Sequence, residues 1–283
     1  MLKSSTSYRV NAPGKLVIAG EYAVLDGAPA LVLAIDRGVS CHVMSGAGIE
    51  TPTGDTRFVA PAIGERAETK RFVFRDWNPV LGLGDQKPGF GGSAAACVAA
   101  CIASGRDGKD AFEIHRRVQG SGSGIDVAAS LYGGMIRFQS GSISMETPCY
   151  PVVIWSGRSA KTGPRVQHYL HWHTRSSFVE RSTALVNSFS QDPVSVIQEL
   201  YSLLRHMAKQ ADIQYETATL NRIADIASSH GGAAKPSGAG GGDCAIAFFP
   251  TTAQKEDFVL ESEHEGFSII PVQPAPGAKL EYL

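Results

Sequence analysis

Three glycine-rich loops and a few charged side chains are the parts of this 283-residue chain that could do chemistry. GFGGSAAA (Gly89 to Ala96) puts three glycines and the Ser93 hydroxyl at the mouth of an alanine-rich helix. Backbone N–H groups can converge there on a spot that the helix start already makes favourable to negative charge, and phosphate is its natural occupant. A tight loop before a closely packed helix is the plain alternative. GSGSGID (Gly120 to Asp126) sets a carboxylate at a helix start, where capping alone accounts for an aspartate. KPSGAGGGD (Lys235 to Asp243) holds four glycines in five positions, at a backbone-entropy cost that suggests the chain comes close to something. A multi-residue turn before a strand competes with that. Near the N-terminus, APGKLVIAGEYAVLDG (Ala12 to Gly27) sets Lys15 and Glu21 on either side of a short apolar strand, with a surface salt bridge as the default. Taken together, a lysine, a carboxylate and three phosphate-type loops fit phosphoryl transfer. That reaction needs a phosphate cradle, a cation and a group that orients the attacking oxygen.

Other motifs point elsewhere. GFGGSAAA also matches GxGxxA, but a Pro- and Gly-rich loop precedes it instead of the strand a dinucleotide site requires. No GxxxxGK[ST] occurs. HYLHWH (His168 to His173) is rich in imidazole but has no Cys or carboxylate at ligand spacing, so zinc is not expected. Arg158, Lys161, Arg165 and Arg175 form either a basic rim for an anionic substrate or a solvated face.

The elements that must position these groups are legible in outline. Ala30 to Met44 and Arg71 to Trp77 read as strands, and residues 79–89 as a loop feeding a helix over about Ser93 to Ala103. Further helices are expected over about Asp110 to Gln119, Asp126 to Leu131, Pro193 to Gln210 and Glu216 to Ser228. Asp192 and Pro193 mark the start of the third, and glycine pairs close the second and fourth. Pro151 to Trp155 reads as a buried strand ending near a domain boundary at about residue 155, which gives domains 1–155 and 156–283. Helices and strands mix without a regular βαβ rhythm, so the fold class is α+β.

Composition narrows the function further. With 26 Lys+Arg against 27 Asp+Glu the net charge is −1, against a strongly basic nucleic-acid binder. Five cysteines without a CxxC pair suggest a reducing, cytoplasmic setting. The start MLKSSTSYRV lacks an apolar core, and Ala28 to Ile35 is far short of the roughly 20 residues of a membrane span. A soluble protein without a membrane or nucleic-acid partner is expected; its oligomeric state is left open.

The ordered set APGKLVIAGEYAVLDG, GFGGSAAA, GSGSGIDVAASLYGG and KPSGAGGGDC resembles the GHMP small-molecule kinases over nearly the whole chain. Within that family GEYAVL, IDR, HRRVQG, IWSGRSAKT and GAGGGDC are most similar to the phosphomevalonate kinases. The resemblance implies a two-domain α+β fold and transfer of a phosphoryl group from ATP, with Mg²⁺, to a small anionic acceptor. Phosphomevalonate is the first expectation, and mevalonate or another small alcohol the alternative; a non-catalytic binding or regulatory role is the alternative of another class. It further implies Lys15 and Asp126 as catalytic groups, and ATP phosphates over Gly89, Gly91, Gly92, Ser93 and Ala94. Ser123, Gly124, Ser237, Gly238, Ala239, Gly240, Gly241 and Gly242 fall in the other two loops, Glu21, Tyr22, Arg158 and Lys161 near the cleft. Two positions depart from the family: Gly92 replaces a serine whose hydroxyl lies near magnesium, leaving Ser93 as the candidate ligand, and His115 stands where mevalonate kinases tend to carry Glu.

Overall fold

The computed structural model describes residues 7–80, 82 and 86–283. The opening MLKSST and part of the loop expected over residues 79–89 lie outside the described residues.

The described strands, in chain order, are β1 (Tyr8–Ala19), β2 (Ala30–Ser45), β3 (Gly48–Glu50), β4 (Lys70–Trp77), β5 (Met135–Gln139), β6 (Ser142–Glu146), β7 (Val152–Trp155), β8 (Ala233–Pro236), β9 (Cys244–Phe248), β10 (Ser268–Ile269) and β11 (Lys279–Tyr282). The helices are α1 (Ala60–Ile63), α2 (Gly92–Ala103), α3 (Asp110–Gln119), α4 (Ile125–Tyr132), α5 (Thr162–His171), α6 (Ser176–Ser188), α7 (Pro193–Gln210), α8 (Ala218–Ser229) and α9 (Thr252–His264). They build an α+β fold on two sheets. The first runs β11-β1-β2-β4-β3, with the hairpin β5-β6 joined to the first half of β2, and the second runs β10-β7-β9-β8. The chain enters the second sheet at β7 and returns to the first for β11.

β1 explains most of the site's placement. Eight of its residues in a row, Ala12 to Ala19, are buried, because α2 and α4 cover one face and the second sheet's core the other. A strand covered on both faces reads as a continuous apolar run, and a lysine inside it needs a reason. The reason lies in a register break. Pro13 pairs with Gly38 but Gly14 with Ile35, so Asp36 and Arg37 bulge out of the ladder. The break frees the Lys15 amide to donate to the Phe90 carbonyl at 2.9 Å. Gly14 permits this approach, since a Cβ there would stand 2.6 Å from the carbonyl oxygens of both Phe90 and Arg37.

Alanines do comparable work in α2. Ala94, Ala95, Ala99 and Ala100 are fully buried against β1, β2, α3 and α4, and their small side chains bring the helix mouth down onto the strand that carries Lys15. The two sheets share a core of Leu16, Ile18, Leu33 and Ile35 with Val153, Trp155, Ile246 and Phe248, closed by Leu200 and Ile197 of α7. No helix among the described residues is long and apolar enough to cross a membrane.

Candidate active site

Lys15 is the centre of the site. Its side chain is 9% exposed, and its Nζ donates to the Gly89 carbonyl at 3.1 Å and lies 3.7 Å from Asp126 Oδ1. Asp126 is in the first turn of α4. The cap position belongs to Gly124 (φ 88°), with no side-chain cap hydrogen bond, so the capping explanation of Asp126 does not hold. Nor does the surface salt bridge of Lys15 with Glu21. Lys15 pairs with Asp126, while Glu21 pairs with Lys235 in the interior.

The first glycine loop lies directly over this pair. The open side of Gly91 faces the Lys15 side chain at 3.4 Å and Asp126 Cβ at 3.6 Å. At the mouth of α2 the Ala94 and Ala95 amides are committed to the Gly91 carbonyl, which leaves the Gly92 and Ser93 amides as the orphan donors. Ala94 itself is fully buried. A Cβ on Gly92 would meet nothing within 4 Å, and both Gly92 and Ser93 are exposed. The Ser93 hydroxyl lies 3.2 Å from Nε2 of His115, whose ring rests against Phe58 with centroids 5.0 Å apart. Burial pushes the His115 pKa below its ordinary value, with the Asp126 charge opposing the shift.

The third loop is held from several sides. Ser237 Oγ accepts from the Val17 amide at 2.9 Å and donates to the Val17 carbonyl at 3.1 Å, so its hydroxyl is spent on docking the loop to β1. Tyr22, strained at φ 61°, donates its hydroxyl to the Ala239 carbonyl at 2.6 Å. A Cβ on Gly240 would run into Tyr215 and one on Gly241 into Arg165, whereas Gly238 faces Lys15, with 4.0 Å from its Cβ direction to Nζ. The glycines that looked uniform in sequence therefore divide: Gly238 opens on the cleft, and Gly240 and Gly241 make room for neighbouring side chains.

The basic residues separate too. Arg158 Nε donates to the Gly241 carbonyl at 3.1 Å, and Arg165 binds the carbonyls of Lys161 and Gln214 at 2.6 and 3.1 Å. Lys161 is exposed at the entry to α5. Arg175 is not on this rim. It is bound to Asp26 at 2.9 Å and lies over the Tyr169 ring. His171 Nδ1 lies 2.7 Å from the Gln167 carbonyl, and no group of three His, Cys, Asp or Glu among the described residues is placed to hold a metal ion.

Sequence reasoning passed over two site neighbours, Lys235 and Asp243, which begin and end the third loop. Asp243 has φ 57° and its Oδ1 accepts from the Ala160 amide at 2.9 Å; Gly89 lacks a Cβ where Asp243 approaches. Burial pushes its carboxyl pKa up, against the pull of the Ala160 hydrogen bond, Lys15 and Arg165. Their signal was present: charged residues bounding a glycine run that otherwise lacks them.

Two cavities lie near the Lys15–Asp126 pair, with no lining residue in common. One, of about 420 Å³, is lined by Lys15, Glu21, Tyr22, His115, Asp126 and Gly238 together with Ser121 to Gly124. The other, of about 520 Å³, runs over Gly89 to Ser93 and is walled by Phe58, Trp77, Arg37 and Lys87. Both have the size of small-ligand sites. Gly91 lines the second, and its open side faces the Lys15 and Asp126 side chains that line the first.

Comparison with known proteins bears on the family and the fold. Residues 190–261 match the family model described as GHMP kinases C terminal. A phosphomevalonate kinase from Streptomyces sp. (strain CL190) is 28% identical over 360 aligned positions, covering 94% of this chain and 96% of the relative. The alignment is longer than this chain, so the relative carries insertions. A mevalonate kinase from Methanothermobacter thermautotrophicus is 32% identical over 49% of the chain and 51% of the relative. Among solved structures, Streptococcus pneumoniae phosphomevalonate kinase in complex with phosphomevalonate and AMPPNP superposes with a TM-score of 0.76 at 19% identity, covering 94% of this chain and 99% of that one. At that identity the superposition speaks for the fold.

Proposed function

We propose that this chain is a GHMP-type kinase that transfers the γ-phosphoryl group of ATP to the phosphate of phosphomevalonate, giving diphosphomevalonate and ADP. The observation that carries the reading is the Lys15–Asp126 pair lining one ligand-sized cavity, directly beneath Gly91 of the glycine loop that lines a second. ATP would occupy the 520 Å³ cavity, its phosphates on the Gly92 and Ser93 amides and its base between the aromatic walls of Phe58 and Trp77. The acceptor would occupy the 420 Å³ cavity, which Thr162 and Val166 of α5 line next to the exposed Lys161.

The chemistry follows from charge. An oxygen of the acceptor phosphate attacks the γ-phosphorus, the bond to the β,γ-bridging oxygen breaks, and ADP leaves with that oxygen's electrons. Two anions must be brought together, and Lys15 offsets their repulsion at the point of transfer. A phosphomonoester has its second pKa near about 6 and is largely dianionic at neutral pH. Asp126 then has no proton to remove, and its work is to hold the Lys15 ammonium in line. With mevalonate the attacking group is an alcohol, and Asp126 would have to accept its proton.

The residues present fit a magnesium ion held chiefly by phosphate oxygens and water. Open space at Gly92 and the exposed Ser93 hydroxyl leave room for a hydrated ion at the helix mouth. Ser93 would contribute a ligand, and the bound ion would neutralise charge across the β- and γ-phosphates.

The division near residue 155 belongs to the same reading, with Lys15 and Asp126 from the first part and the third loop from the second. Five unpaired cysteines, four of them buried, support a cytoplasmic setting. Mevalonate as acceptor draws support from the 32% match to a mevalonate kinase, and His115 in place of the Glu of those enzymes weighs against it. A non-catalytic role has Gly92 in its favour and the Lys15–Asp126 geometry against it. Measuring ADP release with each acceptor in turn decides among the three.

A further inference from the structure

A fully buried ion pair lies beside the site and has no part in the reaction as described. Lys235 is 1% exposed and Glu21 4%. Lys235 Nζ contacts Glu21 Oε1 and donates to the Pro236 carbonyl at 3.1 Å, while Glu21 Oε2 is buried without a hydrogen-bond partner. Removing two charges from water costs several kcal/mol per ion, and well-packed apolar residues often replace such a pair without loss of stability. A pair whose carboxylate is only half satisfied is a poor stabiliser, so its presence calls for another explanation.

Its position supplies one. Glu21 lines the same cavity as Lys15 and Asp126. Gly238 stands between Glu21 and Lys15: its amide donates to Glu21 Oε1 at 3.5 Å, and its open side faces Lys15 Nζ at 4.0 Å. Lys15 therefore has a carboxylate on each side, Asp126 at 3.7 Å and Glu21 across a residue with no side chain. In a water-poor site an uncompensated Glu21 would compete strongly for Lys15.

We propose that Lys235 is a positioning residue: by neutralising Glu21 it leaves Lys15 committed to Asp126 and the Gly89 carbonyl. This rests on the reading of Lys15 and Asp126 as the phosphoryl-transfer pair. The groups facing Glu21 are Lys235 from β8, Lys15 from β1, the adjacent Tyr22 and Tyr215 ahead of α8, with Asp126 of α4 beyond Lys15.

The test compares Lys235→Met with the double variant Glu21→Gln/Lys235→Met, which removes both charges. The single variant should bind ATP as the wild type does but lose about 10²-fold in kcat, the scale of a displaced catalytic group. The double variant should recover to within about threefold of wild type, because nothing is left to draw Lys15 away. The loss should fall in kcat and not in the KM for ATP, a split that a general loosening of the fold would not give. Circular dichroism and thermal melts report folding. If Lys235→Met does not fold, the double variant decides: near wild-type kcat supports the proposal, and a folded but inactive protein overturns it. A folded Lys235→Met with wild-type kcat also overturns it. Wild-type turnover is measured first across acceptors. Failure with phosphomevalonate alone counts against the acceptor, because the variants can still be compared on whichever acceptor or slow ATP hydrolysis the wild type supports.

Discussion

Asp126 carries the sharpest expectation for a single residue. Its carboxylate lies 3.7 Å from Lys15 and caps no helix. Asp126→Asn should therefore lower kcat by about 10² or more with ATP affinity almost unchanged, as checked by steady-state kinetics and nucleotide titration. Wild-type turnover in a folded variant would leave Lys15 as the working charge by itself. Gly92 offers a gain rather than a loss. Its φ is not in the left-handed region and a Cβ there meets nothing within 4 Å, so Gly92→Ser adds a hydroxyl at the helix mouth without strain. The magnesium concentration for half-maximal rate should fall; an unchanged midpoint in a folded, active variant would mean that Ser93 or another oxygen already fills that place. Asp243 makes a prediction about pH. Burial raises its folded pKa above the ordinary 3.8, so the folded state holds its proton more tightly than the unfolded chain does. Its stabilising contribution is present at low pH and is lost as pH rises through the folded value. Asp243→Asn should accordingly raise the melting temperature at pH 7, with the gain shrinking to nothing as pH falls toward 3.8. A lower melting temperature at pH 7 would show that the Ala160 hydrogen bond and the attraction of Lys15 and Arg165 outweigh its burial.

At the level of elements, the third loop is where function and packing have to be separated. Gly240→Val places a branched side chain at φ 72° against the Tyr215 ring and carbonyl, so overpacking of about 1–3 kcal/mol is expected together with any loss of ATP binding. Gly238→Ala is strained by its backbone at φ 111° but meets only Lys15 Nζ, 4.0 Å away, so it should cost stability without the overpacking of Gly240→Val while lowering turnover. Equal effects of the two on stability would make the loop a plain connector. Much at this scale was legible in the sequence. Asp192 before Pro193 marks the start of α7, where its side chain accepts from the Ser195 amide at 3.0 Å, and the apolar stripe of Val196, Leu200, Leu203, Leu204 and Met207 faces the core. α6 and α9 were not legible, for a physical reason. Each buries a serine where the stripe needs an apolar residue, Ser182 between Phe178 and Val186 and Ser262 after Phe258, so the 3.6-residue pattern is too weak to see.

For the molecule as a whole, the sequence displayed the site's parts and hid their pairing. Lys15 and Glu21 are close in sequence, which suggested a salt bridge. The register break in β1 instead turns Lys15 to Asp126, 111 residues further along the chain, and leaves Glu21 to Lys235. Such pairings depend on how two sheets and two helices converge on one strand, and no local spacing encodes that. The same convergence places one cavity at Lys15 and Asp126 and the other across Gly91 from them, and the account depends on both being used in one reaction. The most direct test is ADP release by the purified protein with ATP and magnesium, supplied in turn with phosphomevalonate, mevalonate, galactose, homoserine and shikimate, with the product identified by phosphorus NMR. The account predicts ADP formed in step with phosphomevalonate consumed, and a new phosphoanhydride signal in the product. ADP formed only with mevalonate or another alcohol, or with none of the five, would contradict it.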